Sequence, residues 1–367
     1  MAREHNFSAG PAALPLSVLN ELQDSILEFG DMGAGIMEIS HRTKAFAAVV
    51  ESAEEKLRNL MQIPSDYSVL FLQGGASLQF YMCPLNLLGS SESADYLSTG
   101  AWSQKAIKES ARVSDTKTIW DGKEKNFTTI PLSSDYQVRP ESKYIHYTSN
   151  NTIFGTQWHQ LPESTDKPLV ADMSSDICSR YIDVARHGVI YAGAQKNLGP
   201  SGVTLVILSP WAVEQSKKAG QSKRGGLPSM LDYALMVDKG SMFNTPNTWG
   251  IFALERVLNW LQASGGLEVM EAQNKAKADK LYAELDRTAF WQPHAAVDSR
   301  SWMNVTWRAP TEELEKAFLE NASELGLNTL KGHRSVGGIR ASIYNACSPA
   351  SVDALVEFMQ EFENKNG

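Results

Sequence analysis

Apolar and polar positions change rhythm along this 367-residue chain, and the rhythm sets the elements to expect. Over residues 43–61, Phe46, Val49, Val50, Ala53, Leu57 and Leu60 recur at near-helical spacing, which predicts a long amphipathic helix. Residues 18–29, led in by Pro15, read the same way; the glycines of 30–35 break that helix, and 38–42 follows as a loop. Ser68–Leu72 is a short apolar run stopped by Gly74-Gly75, as a buried strand would be, and a helix begins at Ala76. Residues 94–97, 144–147, 189–191 and 203–208 and Leu169–Asp172 repeat the strand pattern, with a helix over 102–110 between the first two of them. Strands alternating with helices indicate an α/β fold with a mostly parallel sheet and helices on both faces.

The grammar changes near Gly265-Gly266, which separates predicted helices over 249–261 and 267–285. Beyond them, 302–307 alternates like a half-exposed strand, 311–325 reads as a helix and 338–344 as a strand, and Ser348-Pro349 opens a last helix. The expected division is a large α/β domain over residues 16–264 and a smaller α+β C-terminal domain over 265–367, joined by residues 1–15. The length suits about two domains. Hydrophobic residues at 43% and charged residues at 21% are those of a globular protein.

The formal net charge of -8 argues against nucleic acid or an anionic membrane as partner, since the long-range field repels polyanions. It does not forbid a local pocket of arginines. Cys83, Cys178 and Cys347 lie far apart, which reads as reduced thiols with no disulfide framework and no metal site. No signal peptide and no membrane span are evident, so a cytoplasmic protein is expected.

Candidate chemistry centres on Gly193-Ala194-Gln195-Lys196-Asn197-Leu198-Gly199-Pro200, a lysine in a cramped turn between two apolar runs. Burial favours the neutral amine, which attacks an aldehyde to form a Schiff base; the plain alternative is a solvated loop lysine. Gly74-Gly75-Ala76-Ser77 at a strand-to-helix junction can bind an anion through free N–H groups, or be a plain tight turn. Asp172 ends an apolar strand, where a carboxylate can face a ligand crevice and pair with a protonated pyridine nitrogen, or cap a helix. Trp102 at another strand-to-helix turn can stack on a flat ring or fill a core. His41-Arg42, His333-Arg334 and Arg340 sit in loop or glycine-flanked settings; arginine suits bidentate recognition of carboxylate and phosphate, while scattered surface charge is the bland reading. Asn244 and Thr245 precede a helix that they could cap, or they could reach a phosphate.

Taken together, Asn6-Phe7-Ser8-Ala9-Gly10-Pro11, Ser40-His41-Arg42, Gln73-Gly74-Gly75-Ala76-Ser77-Leu78-Gln79-Phe80, Ala171-Asp172-Met173-Ser174-Ser175, the Lys196 string, Asn244-Thr245-Pro246 and the run from Lys331 to Ser342 resemble the phosphoserine aminotransferase family from end to end. The resemblance implies a class V, fold-type I transferase dependent on pyridoxal 5'-phosphate (PLP). Such enzymes exchange an amino group between glutamate and 3-phosphohydroxypyruvate, giving O-phosphoserine and 2-oxoglutarate in serine biosynthesis. It implies Lys196 as the Schiff-base lysine, Asp172 as partner of the pyridine nitrogen and Trp102 as the stacking ring. Ala76, Ser77, Thr152 and Gln195 become cofactor contacts, with Asn244 and Thr245 reaching the cofactor phosphate from the second subunit of a homodimer. Arg340 would hold the substrate α-carboxylate, and His41, Arg42, His333 and Arg334 the substrate phosphate or the distal carboxylate of glutamate. Some members carry arginine where Ser77 stands, so this chain has one cation fewer there. A second product, 4-phosphohydroxythreonine of vitamin B6 synthesis, stays open, because tolerating one extra carbon forfeits only about 1–3 kcal/mol of discrimination.

Two rival readings are a different class V enzyme and a non-catalytic phosphate-binding module. A desulfurase needs a nucleophilic cysteine on a mobile loop, whereas Cys347 reads as a small buried hydrophobe. Paired His-Arg motifs favour a strongly anionic substrate over alanine or glyoxylate. A binding module would leave Lys196, Asp172 and Trp102 without a joint purpose.

Overall fold

The apolar runs of the first two thirds of the chain pair with one another in the computed structural model, which describes residues 3–222 and 225–367. Seven strands form the main sheet: β1 (Ser68–Leu72), β2 (Ser93–Ser98), β3 (Asp115–Asp121), β4 (Ser142–Thr148), β5 (Leu169–Asp172), β6 (His187–Gly193) and β7 (Thr204–Leu208). Their spatial order is β1-β7-β6-β5-β4-β2-β3. β7 runs antiparallel to β1 and β6, and the other neighbours are parallel.

Every residue of β5, β6 and β7 is buried, because helices cover both faces. Alternate side chains feed two cores. Ile190 and Ala192 of β6 pack with apolar residues of the helices Lys44–Met61 and Thr248–Ala263. Val189 and Tyr191 pack on the other face, with residues of Gly75–Leu87 and Pro210–Ser222. The sequence reading missed β3 and the helix Pro210–Ser222. β3 is an edge strand with no fully buried residue, so it never shows an apolar run.

Beyond the helix Gly266–Arg287, three antiparallel strands form a second sheet: β8 (Gln292–Pro293), β9 (Asn304–Arg308) and β10 (Ile339–Ser342). With the helices Glu312–Glu324 and Pro349–Asn366 they enclose a separate core that includes Trp307, Phe318, Ile339 and Leu355. Phe7 enters that same core, and His5 and Asn6 pair in parallel with Leu327 and Asn328. Residues well apart in sequence thus meet around one apolar centre.

Strand register gathers the chemistry at one edge of the main sheet. Thr148 lies opposite Asp172, and Asp172 opposite Tyr191, so the segments leaving β4, β5 and β6 emerge side by side at their carboxyl ends. In parallel sheets that edge is where ligand crevices form. The turn after β1 needs glycine there: Gly74 has φ +89°, and a Cβ would lie 2.5 Å from Leu78 Cδ2.

Candidate active site

A cavity of about 430 Å³ opens at that edge, and Lys196, Asp172, Trp102, Ser77, His333 and Arg340 all face it. Its size is that of a cofactor or small-ligand pocket. Ala76, Thr152 and Gln195 complete the contribution foreseen from sequence.

Lys196 sits in the turn after β6, held by Leu198 N–H donating to Ala194 O at 3.0 Å. Its Nζ donates to Thr152 Oγ1 at 2.9 Å. The N-terminal segment forms a wall beside it: Ala9 and Gly10 line the cavity, and Ala12 N–H donates to Gln195 O at 2.9 Å. Burial pulls the amine down to about 8; Asp172 opposes that shift and Arg340 adds to it.

Asp172 is 5% exposed and accepts the Ser174 N–H at 2.9 Å. Burial raises its carboxyl above the usual range, against the Ser174 hydrogen bonds and the charge of Lys196. The residues that follow are turns, so Asp172 caps no helix. Gly75, which opens the helix Gly75–Leu87, donates its N–H to Thr204 Oγ1 at 2.8 Å. Ala76 and Ser77 follow in the first turn, where no helix carbonyl can take their N–H groups. Trp102 stands at the start of the helix Ala101–Ser110, with its indole Nε1 buried and unpartnered.

The second sheet supplies the cationic side. Arg340 of β10 donates from Nη1 to Thr152 O at 3.4 Å, while its buried Nε has no partner. Burial lowers its pKa. His333 Nδ1 lies 2.7 Å from Ser335 Oγ; burial, then the charges of Arg340, Arg334 and Lys105, lower its pKa.

Not every expected residue converges. Arg334 adjoins His333 but does not line the cavity, and neither do His41 and Arg42, in the loop before Lys44–Met61. His41 Nε2 is buried without a partner. Asn244 lines a separate small cavity with Phe71 and Met236, and Thr245 O accepts from Gln73 Nε2 at 3.3 Å, next to the Gly74 turn. Neither caps the following helix: the cap is Asn247, whose Oδ1 accepts the Gly250 N–H at 2.9 Å. Among the described residues no cysteine lines the cavity; Cys347 is buried and its thiol is pushed up by burial.

Sequence reasoning passed over a polar floor. Asn150 Nδ2 donates to Ser175 Oγ at 2.8 Å and to Asn304 Oδ1 at 2.7 Å, tying the exits of β4 and β5 to β9. Asp176 accepts from Gln157 Nε2 at 3.1 Å and from the Ser149 hydroxyl, and its charge raises the Lys196 amine. The polar string Thr148-Ser149-Asn150-Asn151-Thr152, directly after an apolar strand, was the signal for it.

A lysine with a lowered pKa, a buried aspartate and an aromatic ring surround one crevice, and the comparisons show the family to which the chain belongs. The aminotransferase class-V family model matches residues 5–355, so the chain belongs to the class-V aminotransferases. A relative named phosphoserine aminotransferase from Desulfatibacillum aliphaticivorans is 50% identical over 367 residues, covering 100% of this chain and 99% of that protein. One of the same name from Geobacillus kaustophilus is 50% identical over 366 residues, with the same coverage. The solved phosphoserine aminotransferase of Bacillus circulans subsp. alkalophilus is 44% identical with a TM-score of 0.94, covering 100% of this chain and 99% of that one. A PLP-bound phosphoserine aminotransferase from Trichomonas vaginalis is 34% identical with a TM-score of 0.88, covering 98% and 100%. Within its family the chain groups with the phosphoserine aminotransferases.

Proposed function

We propose that this chain transfers an amino group reversibly between glutamate and 3-phosphohydroxypyruvate, forming O-phosphoserine and 2-oxoglutarate, with PLP as cofactor. What carries the reading is one cavity that gathers Lys196, Asp172 and Trp102 with Arg340, a guanidinium that has no carboxylate partner among the described residues.

The residues fit PLP. The unpartnered donors Trp102 Nε1 and Arg340 Nε, the glycine turn and the buried acceptor Asp172 suit a flat, phosphorylated ring. Lys196 would hold its aldehyde carbon, Asp172 its ring nitrogen, Trp102 its face, and Ala76 with Ser77 its phosphate; Thr152 and Gln195 would complete the contacts. When bound, PLP supplies an electron sink for the pair left when a proton leaves the substrate Cα.

The protein does the rest. Lys196, with an amine near pKa 8, can take and return a proton close to neutral pH, and Thr152 Oγ1 at 2.9 Å fixes where Nζ waits. Arg340 would orient the α-carboxylate by a charge-assisted pair. His333 and Arg334 would meet the distal phosphate or carboxylate. The proposal includes a homodimer, in which a second copy brings Asn244 and Thr245 to the cofactor phosphate; it gives a purpose to residues that lie outside the cavity of one chain, as do His41 and Arg42 for the substrate's distal anion. It takes residues 16–264 as the cofactor-binding domain and 1–15 with 265–367 as the smaller one, supported by the separate core around Trp307 and Phe7. A cytoplasmic location is part of it, in keeping with three unpaired cysteines. No helix of the described residues is long and apolar enough to cross a membrane.

The test is keto-acid preference at saturating PLP and glutamate. 3-Phosphohydroxypyruvate should be used at least about a hundredfold more efficiently than hydroxypyruvate, since losing a charge-assisted pair costs several kcal/mol. Equal turnover of the two would contradict the assignment, and Lys196→Ala should turn over neither.

A further inference from the structure

The loop that carries His333 leans on the cavity's aromatic wall. Gly332 N–H closes it by donating to Gly338 O at 2.8 Å. Val336 packs on the cluster of Phe127, Ile153 and Phe154 that Trp102 also joins. One helical turn beyond Trp102, Lys105 folds back onto it, with Nζ 4.1 Å from the centroid of the indole. Lys196 Nζ lies 5.9 Å from the same centroid. The indole therefore has two lysine cations beside it, and the charge of Lys105 also reaches His333.

Lys105 has no carboxylate partner among the described residues, although Arg112, further along the same segment, pairs with Glu109 at 3.2 Å. Arg334 and Arg340 are equally without one. Cations gathered without a counter-ion repel one another, and an anion arriving among them relieves that repulsion. Lys105 is exposed and does not itself line the cavity; contact with the face of Trp102, which does, restrains its ammonium beside that wall without neutralising it. A lysine on a flexible stem is a mobile point charge, suited to a phosphate whose position is set by other groups.

The geometry points to Lys105 as a specificity-determining residue, whose ammonium contacts the distal phosphate of the keto acid together with His333. This rests on the substrate reading above. A dianionic phosphate gains more from the added cation than a carboxylate does, so Lys105 sharpens the preference for the phosphorylated substrate.

Lys105→Met and Lys105→Arg in the PLP-loaded enzyme test it, with 3-phosphohydroxypyruvate and hydroxypyruvate as paired acceptors. For Lys105→Met, kcat/KM on the phosphorylated acid should fall roughly tenfold or more, chiefly through KM, the size of a lost charged hydrogen bond. Hydroxypyruvate should change by less than about twofold, since it lacks the group that Lys105 meets. Lys105→Arg should recover most of the loss. A parallel fall on both acids would overturn the inference, because Lys105 would then act only by orienting Trp102; no change on either would overturn it as well. The wild-type ratio of the two acids reports separately on the substrate reading: without a preference for the phosphorylated acid, that reading fails first and the role of Lys105 with it.

Discussion

The proton on Lys196 decides what this site can do. An ordinary lysine is neutral to about three parts in ten thousand at pH 7, whereas an amine at about 8 is neutral to about one part in ten. The sign follows from the lowered pKa: the nucleophilic form dominates above about 8 and is lost below it. Capture of PLP by the apoprotein should therefore quicken about tenfold between pH 7 and 9 and level off above, as followed by stopped-flow absorbance. A rate independent of pH over that range would contradict the buried-amine account. A lowered pKa alone does not mark a site: Lys277 is also brought to about 8 by burial, yet its Nζ donates to the carbonyls of Ile343, Tyr344 and Cys347 and it does not line the cavity of Lys196. That Lys196 and Asp172 leave the ends of apolar strands was legible in their short strings, which left a solvated lysine and a helix cap open; the resemblance of the whole chain assigned their roles. Asn150, Asp176 and Lys105 were not legible, because their roles depend on partners far away in sequence, such as Asn304, Gln157 and the loop of His333.

Among the elements, the strand-to-helix turn after β1 is the most exacting. Gly74 at φ +89° aims the first turn of Gly75–Leu87 at the cavity. Alanine there would sit in the left-handed region at a cost of about 1–2 kcal/mol, with its Cβ against Leu78. Gly74→Ala should weaken PLP binding about five- to thirtyfold in a fluorescence titration while leaving the far-ultraviolet circular dichroism intact. Unchanged affinity would mean that this turn does not hold the phosphate. The strands that frame the site were readable because burial on both faces writes an apolar run, as in Leu169–Asp172. For the same reason the antiparallel direction of β7 was not: a strand buried on both faces looks alike in either direction. The edge strand β3 carries charges at alternate positions and gave no signal. The strand foreseen over 338–344 is the shorter Ile339–Ser342, since Gly338 at φ +71° belongs to the preceding loop.

Over the whole molecule, an acidic chain with net charge -8 brings the basic side chains Lys196, His333 and Arg340 to one crevice. Residues from two bodies line it, each body with its own core, one around the main sheet and one that combines Phe7 with the last third of the chain. Lys196 comes from the first body and Arg340 from the second, and they approach through Thr152, which accepts from both. The central claim is that this junction runs two linked half-reactions on one lysine-held cofactor. The absorption spectrum of the PLP-loaded protein through one cycle tests it most directly. Glutamate alone should abolish the near-visible band of the lysine-bound cofactor with release of one equivalent of 2-oxoglutarate, and 3-phosphohydroxypyruvate should then restore it as O-phosphoserine appears. A wild-type protein that shows no such band with excess PLP, or a band that glutamate leaves untouched, would contradict the account.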